Sequence, residues 1–237
     1  MTFACVFPGQ GSQAVGMLGA LADAEPSVRD AFAEAGDALG YDLWALCARG
    51  PADDLNDTRR TQPALLAAGV AVWRAWRAHG GPMPALMAGH SLGEYTALVC
   101  AGALDFAAAL KLVEHRGDLM QRAVPAGTGA MAAVIGLDDD AVRAACDEAA
   151  QGDVVEAVNY NSPGQVVIAG HAAAVERAGA AAKLRGAKRV LPLPVSVPSH
   201  CALMKPAADA LAERLAGVSA NDPDSLQAAL AATRNDA

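Results

Sequence analysis

The segment Gly89-His90-Ser91-Leu92-Gly93 has the residue types and spacing best suited to covalent chemistry. It fits the pattern G-x-S-x-G, in which a sharp turn between a strand and a helix strains a serine and exposes its oxygen. An apolar run at residues 85–88 precedes it, and a helical pattern follows. The glycines leave room for the tight turn and for close approach of neighbouring chain. The N–H of Leu92 is then available to stabilise an oxyanion. The alternative is an ordinary glycine-rich turn with an exposed serine.

A serine nucleophile needs a general base, and five histidines could serve: His79, His90, His115, His171 and His200. His200 is the preferred base because it lies in a loop framed by Pro198 and Ser199, and such loops commonly carry catalytic groups. His90 adjoins the serine, but neighbours at a sharp turn point in different directions, so we expect it to pack. Cys201 is a rival nucleophile, although free cysteines are commonly buried and inert.

The composition excludes several classes of function. The chain has a net charge of -8 and only 4% aromatic residues, which argues against a nucleic-acid partner. Its five cysteines form no CxxC pair and no cluster with zinc-ligand spacing, so we expect reduced thiols and no zinc site. The N-terminus does not read as a signal peptide and no apolar stretch is long enough for a membrane span, so we expect a cytoplasmic protein.

The elements around Ser91 follow from turn and helix signals. A short strand at residues 3–7 ends at the turn Pro8-Gly9-Gln10-Gly11. The periodicity predicts a helix over 26–39, with Pro26 suited to its first turn, and a helix over 62–79 with Thr61 as its cap. Two more helices are predicted over 94–101 and from a cap at Asp105 to about 122.

The pattern changes after residue 127. Strands are expected at 129–136, 154–160, 165–169 and 187–193. Helices are expected at 138–150, with Asp138 as the cap, and at 172–185. This β-α-β-β-α-β order is the ferredoxin-like arrangement. We therefore predict an inserted domain over 127–194 and a larger α/β domain over 1–126 and 195–237. A further helix is predicted over 202–215, and a polar tail over 220–237 follows it.

Six blocks carry a family likeness: FPGQGSQ at 7–13, TQPAL at 61–65, GHSLGEY at 89–95, HRGDLMQ at 115–121, NYNSPGQVVIAG at 159–170 and PSH at 198–200. These blocks occur in the same order in malonyl-CoA:acyl carrier protein transacylases, which the chain therefore resembles. It also resembles the acyltransferase domains of polyketide and fatty-acid synthases. The likeness covers nearly all of residues 1–218. It implies an α/β fold with a large α/β-hydrolase-like domain carrying the small ferredoxin-like one.

The resemblance also implies roles at matching positions. Ser91 would be the acyl-carrying nucleophile and His200 its general base. Gln10 and Leu92 would supply the oxyanion-hole N–H groups. Arg116 would pair with the free carboxylate of a malonyl group, for which a planar guanidinium is well suited.

Other residues are open to two interpretations. Gln62 and Asn159 lie in matching blocks and could line the site, or they could serve in packing and turns. From the sequence alone, Arg116 would be a helix-surface arginine paired with Glu114 or Asp118.

The implied reaction moves malonyl from malonyl-CoA to the phosphopantetheine thiol of acyl carrier protein in fatty-acid biosynthesis. This reaction needs no metal and no bound cofactor. Members of the family continue past the end of this chain, so we expect a domain that is incomplete at its C-terminus. The alternatives are an impaired or non-catalytic module that binds acyl carrier protein or malonyl groups, and a serine esterase.

Overall fold

The computed structural model describes three stretches of the chain: residues 2–125, 127–195 and 197–216. Within these stretches the chain divides into two compact units, one of residues 2–118 and one of residues 119–216. Strands and helices occur in both units, so the predicted α/β class is confirmed. The predicted inserted domain over 127–194 stays a prediction, and the polar tail at 220–237 lies outside the described residues.

The first unit contains a small parallel sheet. Strands β1 (Ala4–Phe7) and β2 (Leu86–Gly89) pair so that Phe7 lies opposite Gly89. Parallel pairing brings the carboxyl ends of both strands to one edge of the sheet. The helices that begin in this unit are α1 (Gly19–Ala24), α2 (Pro26–Leu39), α3 (Leu43–Arg49), α4 (Ala52–Asn56), α5 (Thr58–Ala78), α6 (Leu92–Cys100) and α7 (Phe106–Ala123).

Helix α5 begins four residues earlier than the sequence predicted. Its cap is Asp57, whose side chain accepts from the N–H of Arg59 at 2.8 Å, and Thr61 lies within the helix. The prediction of Thr61 as the cap was wrong because an aspartate four residues earlier offers a stronger capping group. By contrast, α2 has its predicted bounds, and Asp105 caps α7 through a 2.8 Å bond from the N–H of Ala108.

The second unit has the predicted β-α-β-β-α-β order. Its sheet has the strand order β4-β5-β3-β6, and every neighbouring pair is antiparallel. Asp138 caps its first helix, as predicted, by accepting from the N–H of Ala141 at 2.9 Å. The elements are β3 (Gly129–Ile135), α8 (Asp139–Ala150), β4 (Val155–Ser162), β5 (Gln165–His171), α9 (Ala172–Leu184), β6 (Arg189–Pro192) and α10 (Lys205–Leu215).

Alanine and valine side chains form the core of this unit. Val134 and Val166 on the sheet and Ala145 and Ala178 on α8 and α9 are fully buried in one cluster. Small residues allow the two helices to approach each other and the sheet closely. None of the described helices has the length and apolar character that a membrane crossing requires.

The helix predicted over 202–215 is divided. A 3-10 turn spans Ala202–Met204, and the α-helix proper begins at Lys205. Pro206 explains the division, because proline fits the first turn of an α-helix, where its missing N–H is not needed.

Candidate active site

Ser91 occupies a strained turn between β2 and α6. Its φ of 50° and ψ of −108° lie outside the regions that L-residues normally adopt. Such strain persists only when the surrounding structure enforces it, and it is typical of functional sites. Ser91 is half-buried and immediately precedes the first residue of α6, where unpaired N–H groups and the positive end of the helix dipole lie.

The two glycines of the motif are required by close backbone contacts. A Cβ on Gly89 would lie 1.9 Å from the carbonyl carbon of Gly93, and a Cβ on Gly93 would lie 2.2 Å from the carbonyl oxygen of Phe7. No side chain can be accommodated at these distances. The predicted role of the glycines, to leave room for neighbouring chain, is confirmed.

The loop after β1 lies against the serine turn. The N–H of His90 donates to the carbonyl of Phe7 at 3.0 Å, and a Cβ on Gly9 would lie 2.5 Å from the carbonyl oxygen of His90. Gln10 therefore lies next to the turn that carries Ser91. Within the described part of the chain, the backbone N–H groups of Gln10 and Leu92 donate to no acceptor.

Arg116 on α7 reaches the serine. Its Nη2 donates to Ser91 Oγ at 3.2 Å, and its Nη1 donates to Gln62 Oε1 at 2.8 Å. Gln62 is fully buried on α5. The surface pairing of Arg116 with Glu114 is not observed, and Glu114 instead accepts from Arg60 at 3.4 Å.

A buried tyrosine supports the guanidinium. The guanidinium carbon (Cζ) of Arg116 lies 5.7 Å from the ring centroid of Tyr95, within the range of a cation–π contact. Burial raises the pKa of the Tyr95 hydroxyl, and the nearby Arg116 opposes this increase. The tyrosine therefore presents a neutral ring to the cation at physiological pH.

Thr58 is a member of this cluster that the sequence did not reveal. Its Oγ1 accepts from Gln10 Nε2 at 3.1 Å, and the residue is fully buried. It lies four residues before Gln62, so both occupy one face of α5. That spacing could have indicated Thr58, but the predicted helix began only at Gln62.

Five residues predicted for the site lie close together in the first unit: Gln10, Gln62, Ser91, Leu92 and Arg116. His200 and Asn159 lie in the second unit, so the predicted pairing of Ser91 with His200 stays a prediction. Asn159 is on β4 beside a register shift in its pairing with β5.

His200 lies in a loop with positive φ, at 69°. The loop is fixed locally, because the N–H of Ser199 donates to the carbonyl of Val197 at 3.0 Å and Pro198 packs on Gly129. A Cβ on Gly129 would lie 2.4 Å from Pro198 Cγ, so the strand must carry glycine here.

Cys201 has the properties of an inert thiol. It is buried, its Sγ donates to the carbonyl of Pro198 at 3.1 Å, and desolvation raises its pKa to about 11. The thiolate is the reactive form of cysteine, so this thiol is protonated and unreactive at neutral pH.

A family model described as "Acyl transferase domain" matches residues 4–235. The chain belongs to this family. The malonyl CoA-acyl carrier protein transacylase of Escherichia coli O157:H7 is 69% identical over 221 residues, which are 93% of this chain and 72% of that protein.

Solved structures show the same similarity. An acyl carrier protein S-malonyltransferase from Vibrio cholerae has a TM-score of 0.89 and 67% identity, covering 94% of this chain and 73% of that one. A malonyl-transacylase solved in complex with a type II polyketide synthase acyl-carrier protein has a TM-score of 0.92 and 65% identity, covering 93% and 72%. The chain is therefore an acyltransferase with close structural relatives that handle malonyl groups.

Proposed function

We propose that this chain transfers a malonyl group from malonyl-CoA to the phosphopantetheine thiol of acyl carrier protein in fatty-acid biosynthesis, through an ester on Ser91. The observation that carries the proposal is the 3.2 Å bond from Arg116 Nη2 to Ser91 Oγ. A guanidinium this close to a nucleophile suits an acyl group that ends in a carboxylate. The malonyl-transferring relatives support the same substrate.

The dimensions of malonate agree with this arrangement. Its carboxylate carbon and thioester carbon are separated by one methylene, or about 2.5 Å for two C–C bonds near 1.5 Å. A carboxylate held by Arg116 would keep the thioester carbon within reach of Ser91 Oγ. An acetyl group has no carboxylate, so it would leave the cation without its anion and bind less well.

In the proposed mechanism, His200 removes the proton of Ser91 as Oγ attacks the thioester carbon. The N–H groups of Gln10 and Leu92 stabilise the oxyanion of the tetrahedral intermediate. The C–S bond then breaks, coenzyme A leaves with the proton from His200, and malonyl remains as an ester. The thiol of acyl carrier protein gives its proton to His200 as it attacks that ester, and Ser91 Oγ takes this proton from His200 as it leaves.

Gln62 is proposed to orient Arg116 instead of contacting the malonyl group. Gln62 Oε1 accepts from Arg116 Nη1. Because the guanidinium is planar, this bond also fixes the orientation of Arg116 Nη2 and Nε. Asn159 is proposed only as a residue that lines the site.

We also propose the finer architecture and location. A large α/β-hydrolase-like domain over 1–126 and 195–237 would carry a ferredoxin-like domain over 127–194. The strand–serine–helix turn supports the first description, and the antiparallel strand order β4-β5-β3-β6 supports the second. A cytoplasmic location is part of the same proposal.

The test is intact-protein mass spectrometry after mixing with malonyl-CoA. We expect a malonyl-sized gain on the unaltered chain and none on Ser91→Ala. Addition of holo acyl carrier protein should remove the gain from the enzyme and transfer it to the carrier. An adduct that persists in Ser91→Ala would refute the nucleophile, while free malonate without malonylated carrier would indicate an esterase.

A further inference from the structure

Two fully buried polar side chains lie on one face of α5 and contact the site. Thr58 and Gln62 are four residues apart, the spacing that places side chains above one another on a helix. Buried Thr61 is different, because its hydroxyl donates to the carbonyl of Leu55 at 2.6 Å within the same stretch of chain. Thr58 and Gln62 instead contact residues far away in sequence, Gln10 and Arg116.

The contact with Gln10 anchors the loop after β1. Gln10 Nε2 donates to Thr58 Oγ1 at 3.1 Å, across 48 positions in sequence. Since Thr58 is fully buried at the start of a helix, its hydroxyl is a fixed acceptor. The side chain of Gln10 is thereby held, and its backbone N–H is held with it.

The backbone of Thr58 fixes a second part of the site. A Cβ on Gly117 would lie 2.6 Å from the carbonyl oxygen of Thr58 and 2.6 Å from Arg59 Cα, so α7 packs directly on the first turn of α5. Gly117 adjoins Arg116. Thr58 therefore lies where the loop of Gln10 and the helix of Arg116 meet.

We infer that Thr58 is a positioning residue for the oxyanion donor at Gln10. The inference rests on the proposed function, because it assigns the Gln10 N–H to the tetrahedral intermediate. Removing the Thr58 hydroxyl frees the Gln10 side chain and lets its N–H move away from the developing charge. The Leu92 N–H lies in a separate element, α6, and stays in place.

This role has a specific kinetic signature. An oxyanion donor acts in the transition state with any acyl group, so its loss lowers kcat, leaves KM unchanged, and affects malonyl and acetyl transfer equally. A residue that orients Arg116 has a different kinetic signature. Its loss should slow malonyl transfer and leave acetyl transfer unchanged, because only malonyl has a free carboxylate. Thr58 and Gln62 variants can therefore be distinguished, although both residues lie on the same helix face.

The experiment compares Thr58→Val, which removes the hydroxyl and keeps the branched shape, with Thr58→Ser, which keeps the hydroxyl. We expect Thr58→Val to lower kcat about tenfold, less than the roughly 10²- to 10³-fold known for outright loss of an oxyanion donor. KM and the malonyl-to-acetyl ratio should not change, and Thr58→Ser should recover most of kcat. Gln62→Leu should instead lower that ratio.

Asn56→Ala is the matched control. It removes an exposed 2.8 Å bond from Gln13 Nε2 to Asn56 Oδ1, which holds the same loop outside the site, and it should leave kcat within about twofold. Two results would overturn the inference: Thr58→Val with an unchanged kcat, or Thr58→Val and Thr58→Ser equally impaired. Failure of the proposed function would be seen separately, as an unaltered chain that gains no malonyl group.

Discussion

Replacing Gly93 with alanine tests whether backbone contact between the serine turn and β1 maintains the site. The new Cβ would lie 2.2 Å from the carbonyl oxygen of Phe7, 2.7 Å from its carbonyl carbon and 2.8 Å from the carbonyl oxygen of Pro8. Ordinary contacts begin near 3.5 Å, so the two backbones must separate by about 1 Å. All three atoms belong to the main chain, which cannot rotate away as a side chain would.

The separation affects both stability and rate. It stretches the bond from the N–H of His90 to the carbonyl of Phe7, now 3.0 Å, beyond hydrogen-bonding range. Overpacking of this kind destabilises by about 1–3 kcal/mol, or a few degrees in Tm for each kcal/mol. Displacing Gln10 from Leu92 by about 1 Å should also lower kcat on the order of 10²-fold.

The sign of the stability change makes the experiment decisive. Helix propensity alone would make alanine stabilising in α6 by up to about 1 kcal/mol. Thermal unfolding and malonyl-transfer rates should be measured for Gly93→Ala and for Gly19→Ala, a control whose new Cβ meets nothing within 4 Å. Because Gly19 is the first residue of α1, we expect the control to have a normal rate and a Tm equal to or slightly above that of the unaltered chain. A Gly93→Ala protein with an unchanged or higher Tm and a normal rate would refute the reasoning.

Three further predictions concern charge and protonation. Arg116→Ala should lower kcat/KM for malonyl-CoA about 10- to 100-fold more than for acetyl-CoA, since it removes a charge-assisted bond; equal losses with both substrates in steady-state assays would contradict this role. His200→Ala should slow acylation by about 10²- to 10⁴-fold in rapid-quench measurements, and an unchanged rate would assign the base elsewhere. Burial raises the pKa of Cys47, Cys100 and Cys146 to about 12 from 9.0, so the stability from their neutral burial is full below pH 9 and decreases as pH rises towards 12. Urea midpoints should therefore fall between pH 8 and about 10.5, and by less in the triple Cys→Ala variant; an equal fall in both proteins would contradict the prediction.

Local signals in the sequence identified much of the molecule. The caps Asp105 and Asp138 and the proline at the start of α2 act on their own neighbours, and they were assigned correctly. The glycines around Ser91 are also a local signal, because the geometry of a strand–turn–helix junction depends mainly on residues close in sequence. The resemblance to acyl transferases came from short blocks of this kind, and the family match confirmed it.

Only the tertiary structure decided which side chains from distant parts of the chain contact each other. From the sequence, Arg116 could either form an ion pair on the helix surface or bind the substrate carboxylate. In the folded chain it donates to Ser91 and Gln62, which are 25 and 54 positions away. Thr58 was not identified because its contact with Gln10, 48 positions away, is made only in the folded chain. The physical reason is that side-chain contacts between distant segments depend on how helices and strands pack, and packing depends on all the elements together.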